Sequence, residues 1–64
     1  MTRDDVTAWN ASHPVGTPVD FAHDDGMVVR TYTTGPAVWR DGVAVVPVDG
    51  LGEVELVRCA AVSR

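Results

Sequence analysis

Residues 23–50 read HDDGMVVRTYTTGPAVWRDGVAVVPVDG, and the three Asp-Gly pairs in this stretch, Asp25-Gly26, Asp41-Gly42 and Asp49-Gly50, decide the architecture. Asp-Gly suits a tight hairpin because the turn that matches strand twist wants positive φ at positions Asp and Gly can occupy. The pairs divide this part of the chain into short runs rich in Val, Thr, Tyr and Trp. Such residues fit a pleated, half-buried strand, so the pattern predicts a small antiparallel β domain.

Alternation places the strands. Val19 and Phe21 alternate with Asp20 and Ala22, which predicts a first strand over about 17–22, closed by His23-Asp24-Asp25-Gly26 as a two-residue turn. A second strand is expected over 27–33, until Thr34-Gly35-Pro36 interrupts it, and a third over 37–40. Val43 to Val48 reads as the fourth. The fifth runs from Glu53 to Arg58, where Val54 and Leu56 alternate with Glu53 and Glu55. Five short strands in 64 residues suit a strongly bent barrel better than a two-sheet sandwich of about 100 residues.

The first dozen residues follow another rule. Thr2 with Asp5 three positions on resembles a capping box in which Asp replaces Glu, and Asp4 and Asp5 lie where the helix dipole favours negative charge. A helix over about 3–11 follows, with Val6 and Trp9 on one face and Trp9 as its anchor on the β domain. Pro14 biases His13 away from helical φ/ψ and ends the helix. The chain then runs extended through Pro18.

Composition narrows the function. The chain has a formal charge of -4, with five Arg and no Lys, which disfavours nucleic acid and other acidic partners because phosphate binding needs a basic face. The single cysteine, Cys59, cannot form an internal disulfide and reads as a small, partly buried apolar residue of a reducing compartment. Neither a membrane span nor a signal-peptide pattern is legible, so a cytoplasmic protein is expected. His13, His23, Asp24 and Asp25 are the candidates for metal or acid-base chemistry, but they match no metal-ligand spacing, and the run 23–26 reads better as a solvated turn. Ser12 beside His13 lacks the geometry of an activated nucleophile, and Ser63 is assigned to a frayed end. The expectation is therefore a protein without enzymatic activity, cofactor or metal.

The stretch WNASHPVGTPV (9–19), the DDG segment, TTGPAVW (33–39) and VVPVDGLGEVELVR (45–58) together resemble a group of small uncharacterised proteins from phage and bacterial genomes. Members carry Trp-Asn or Phe-Asn followed by Pro-Val-Gly-Thr-Pro-Val, then a Val-rich strand, a Gly-rich turn and a final Val-x-Leu strand. Here Gly35 to Trp39 departs from the usual spacing, and Thr34 stands where the group has Arg. The resemblance implies a mainly β fold, a five-stranded antiparallel SH3-like barrel with a short N-terminal helix, and a phage or prophage setting. It implies no activity.

Packing leaves a surplus. With Val29, Thr31, Trp39, Val46, Val48, Val54 and Leu56 assigned to the interior, Val28, Tyr32, Val38, Val43 and Val45 must face outward, unless the Trp9 helix covers some of them. Trp39 is the natural core aromatic. The expected binding residues are Val28, Arg30, Tyr32, Arg40, Val43 and Val45, in a protein-interaction module that contacts a partner protein or self-associates as a homo-oligomer. The alternative is a small-ligand or nucleotide binder using Arg30, Arg40, Tyr32 and His13. The two differ in where the arginines land: convergence of Arg30, Arg40 and Arg58 on an aromatic favours a ligand, and dispersal around apolar surface favours a protein.

Overall fold

The computed structural model describes residues 2–62, which begin with a helix, α1 (Arg3–Ser12). Thr2 caps it as expected: the Asp5 N–H donates to Thr2 Oγ1, and the Thr2 N–H donates to Asp5 Oδ2 at 2.7 Å. His13 ends it in an extended conformation before Pro14. Ser63, assigned to a frayed end, lies outside the described residues.

Six strands follow: β1 (Pro18–Ala22), β2 (Val28–Tyr32), β3 (Val38–Arg40), β4 (Val43–Val48), β5 (Gly52–Glu55) and β6 (Cys59–Ala61). They form two antiparallel three-stranded sheets, ordered β2-β1-β6 and β3-β4-β5. The first four match the expected strands to within a residue at each end. The fifth does not. Glu53 to Arg58 splits after Glu55, and Leu56–Arg58 makes a single 3-10 turn that carries the chain to the other sheet, where β6 pairs with β1. Leu56 is the pivot, buried at 2% exposure, whereas Val57 is thrown outward. The two sheets are joined by one bridge, Thr33 to Val48, and no closed barrel forms among the described residues.

The three Asp-Gly pairs all turn the chain, in two different ways. Asp41 and Gly42 both have positive φ, 51° and 80°, the signature of a two-residue turn matched to strand twist, and Arg40 and Val43 pair directly across it. The DDG turn holds three residues instead, with the His23 N–H donating to the Met27 carbonyl at 2.8 Å and the Asp25 carboxylate accepting the Met27 N–H. Pro47 lies in the middle strand of its sheet, a position proline normally cannot occupy. It lies beyond the end of the β3 ladder at Val38–Val45, so it takes no ladder bond from β3, and its carbonyl accepts the Thr34 N–H at 2.9 Å. Gly35 passes close to Pro47 here: a Cβ on residue 35 would lie 3.0 Å from the Pro47 ring.

The inner faces of the two sheets meet in a core of Val6, Val19, Ala37, Ala44, Val46, Val48 and Leu56, with Trp9, Trp39, Val54 and Cys59 packed against it. Val46, Val48 and Leu56 are interior as expected, while Val29, Thr31, Trp39 and Val54 are only half-buried. Val19, wholly buried, takes a central place instead. Thr33 is the buried polar residue, and it is satisfied: its Oγ1 accepts the Gly16 N–H at 3.0 Å, and its own N–H donates to the Thr17 carbonyl.

Candidate functional site

Strand pairing fixes which side chains look outward. In the first sheet Asp20 faces Arg30, Pro18 faces Tyr32 and Ala22 faces Val28, so Val28, Arg30 and Tyr32 form one row on the face turned away from the core, and all three are exposed. In the second sheet Arg40 faces Val43 and Val38 faces Val45. Arg40 and Val43 are exposed there, with Val38 and Val45 half-buried beside them. The six expected binding residues therefore fall into two rows of three, on the outer faces of two sheets that sandwich the core. They do not make one patch. Nor does α1 cover either row: Val6 enters the core and Asn10 reaches β3, while Val28 at 60% and Tyr32 at 48% remain open.

Arg30, Arg40 and Arg58 disperse in the same way, and each is ion-paired. Arg30 is ion-paired with Asp20, whose hydrogen bond, and then its charge, raise the guanidinium pKa further above its ordinary value. Arg40 pairs with Glu53 at 2.8 Å on the outer face of the second sheet. Arg58 pairs with Asp24 and approaches Glu55 at 3.8 Å, tying the 3-10 turn to the β1–β2 hairpin. His13 stacks on Trp9, ring centroids 3.9 Å apart, with its Nδ1 3.1 Å from the Trp9 carbonyl oxygen. Of the residues named for a ligand, Arg30 and Tyr32 lie side by side on β2 and Arg40 lies on the other sheet. Among the described residues no group of three or more His, Cys, Asp or Glu could hold a metal ion.

Two features were not legible in the sequence. The first is a small open pocket of about 210 Å³ at the end of the β3–β4 hairpin, lined by Trp39, Gly42, Val43, Ala44 and Val57. Ligand pockets usually hold roughly 300–1,000 Å³ and several converging polar groups, so this notch suits a side chain better than a small molecule. Trp39 is thus packed on the core by one side and open to the notch by the other. Val57 is 69% exposed, and the signal for it was the lost alternation after Leu56. The second is Asn10, whose amide donates to the Ala37 carbonyl and accepts the Ala37 N–H, both at 2.8 Å. One side chain in this way fills the place of a neighbouring strand at the start of β3.

Cys59 is half-buried in β6, its thiol 3.7 Å from the Glu55 carbonyl oxygen, and burial pushes its pKa above the ordinary value. Among the described residues no helix is long and apolar enough to cross a membrane. Comparison with protein-family models, curated proteins and solved structures returned no match to the chain.

Proposed function

We propose that this chain is a non-enzymatic protein-interaction module, SH3-like in design, that works in the cytoplasm by contacting a partner protein or a second copy of itself through exposed apolar side chains. The observation that carries this reading is the pairing of large exposed apolar residues, Val28 and Tyr32 on one sheet and Val43 and Val57 around the Trp39 notch, with Arg30, Arg40 and Arg58 dispersed and each spent on a carboxylate of its own chain. A phosphate or nucleotide site needs cations that converge and are free, whereas a protein contact needs apolar anchors with a polar rim. SH3-like design is supported by the last strand returning to pair with β1 and by β2 reaching the second sheet through Thr33. The phage or prophage setting rests on the resemblance carried by residues 9–19.

The test is salt dependence. Sedimentation and pull-down with the immobilised protein should show contacts that persist from low to high salt, since apolar burial does not rely on screened charge. Retention on a nucleic-acid or nucleotide column that falls steeply over the same salt range, with no protein partner and no self-association, would overturn the proposal in favour of a ligand binder.

A further inference from the structure

Two three-stranded sheets leave four edge strands, and three of them are poor templates for an added strand. β3 is only three residues long, and Ala37 just before it is bonded to Asn10 of the helix. β5 is four residues long, opens on Gly52 at positive φ and carries Glu55. β6 is only three residues long. β2 differs: it is five residues long, reads Val-Val-Arg-Thr-Tyr, and has no proline, no glycine and no bulge.

The ladder shows which of its backbone groups are unpaired. In an antiparallel pair, directly opposed residues alternate between bonding each other and pointing away. The pairs His23–Met27 and Thr17–Thr33 bond across β1–β2, so, two residues at a time, Phe21–Val29 and Val19–Thr31 bond as well. The N–H and C=O of Val28 and Arg30 therefore point out from the sheet. Tyr32 points out too, but its carbonyl accepts the Asp49 N–H, and that bond ends the free edge.

We infer that this edge pairs with the same edge of a second copy, antiparallel about a two-fold axis at Val29, so that Val28 of each chain bonds to Arg30 of the other. The inference deepens the interaction reading and rests on it. Alternation allows neighbouring registers, and charge chooses between them. An axis at Arg30 would set two arginines directly opposite, and one at Val28 would leave Arg30 beside the hairpin glycine, whereas the axis at Val29 makes four backbone bonds and lays each Arg30 stem along Val28. Asp20 offsets part of each Arg30 charge, so this stretch meets its copy with little net charge although the chain carries -4, while the solvated guanidinium still senses a charge set directly opposite it. The contact is short, well below a standard interface, and a weak, concentration-dependent dimer is expected.

The register makes a charge-specific test. Val28→Lys places a lysine opposite Arg30 of the other copy and should raise the dissociation constant at least tenfold in sedimentation equilibrium. Val28→Glu places a carboxylate there and should lower it. Val28→Pro removes an N–H that β1 does not use and should abolish association, with far-UV circular dichroism confirming the fold. Independently of any substitution, amide hydrogen exchange at Val28 and Arg30 should slow as the wild-type concentration rises. A wild-type chain that stays monomeric at millimolar concentration, or a dimer indifferent to Lys and Glu at position 28 and showing no such slowing, overturns this inference. Capture of an unlike protein by that same monomer would leave the broader interaction reading standing.

Discussion

Asn10 should be worth far more than a polar residue on a helix usually is. Its amide makes two bonds of 2.8 Å to the backbone of Ala37, and Ala37 is only 3% exposed, so water cannot readily replace either partner. A neutral hydrogen bond contributes about 1 kcal/mol net, and a backbone group left unsatisfied in a buried place costs about 1–3 kcal/mol. Asn10→Ala strands both a donor and an acceptor and should therefore cost on the order of 3 kcal/mol. A domain of this size holds roughly 3–10 kcal/mol in total, and the loss should lower the melting temperature by something on the order of 10–20 °C. Asn10→Asp separates donor from acceptor. Its carboxylate can still accept the Ala37 N–H, but it faces the Ala37 carbonyl oxygen and the negative end of α1, and both disfavour the charged form. The folded-state pKa of that Asp is thus raised above its unfolded value, so the stability it contributes is present at low pH and lost as pH rises through the folded pKa. Urea titrations of the three proteins at several pH values measure all of this. A loss below about 0.5 kcal/mol for Asn10→Ala, or an Asn10→Asp stability that tracks the wild type at every pH, would show that the Asn10–Ala37 pair does not dock the helix.

Trp9→Ala should cost about 3 kcal/mol, the usual range for deleting a packed aromatic, because Trp9 lies against the core and stacks on His13; an unchanged melting temperature would refute its role as anchor. Gly42→Ala should cost about 1–2 kcal/mol purely from backbone strain at φ 80°, since nothing lies within 4 Å of the added methyl, and a D-alanine at the same place in a synthetic chain should recover the loss. An L-alanine that is neutral would show that the hairpin can change turn type. Burial raises the Cys59 pKa, so the thiol should alkylate at pH 8 several-fold more slowly than an unstructured cysteine, and it should subtract from stability only as pH climbs through and beyond its ordinary value of 9.0. Alkylation at the rate of the unfolded chain would contradict that burial.

The β class, the helix with its Thr2–Asp5 cap, the Asp41-Gly42 turn and the span Val43–Val48 follow from local rules: φ preferences, period-two alternation and capping chemistry act over a few residues and leave their mark in the order of the side chains. The division into two sheets does not follow that way. The break at Leu56–Arg58 leaves only a faint mark on alternation, the apolar Val57 after Leu56, because what bends the chain there is the pairing of β6 with β1, about forty residues upstream, around a leucine that the core pulls inward. The outward residues Val28, Tyr32 and Val43 were legible one by one from strand period, yet their distribution over two opposite faces depends on which strands pair, a long-range choice that no local pattern encodes. Asn10 and Val57 belong to the same class. Each gains its role only when the hydrophobic collapse of distant segments brings Ala37 under the helix and the Trp39 hairpin beside the 3-10 turn.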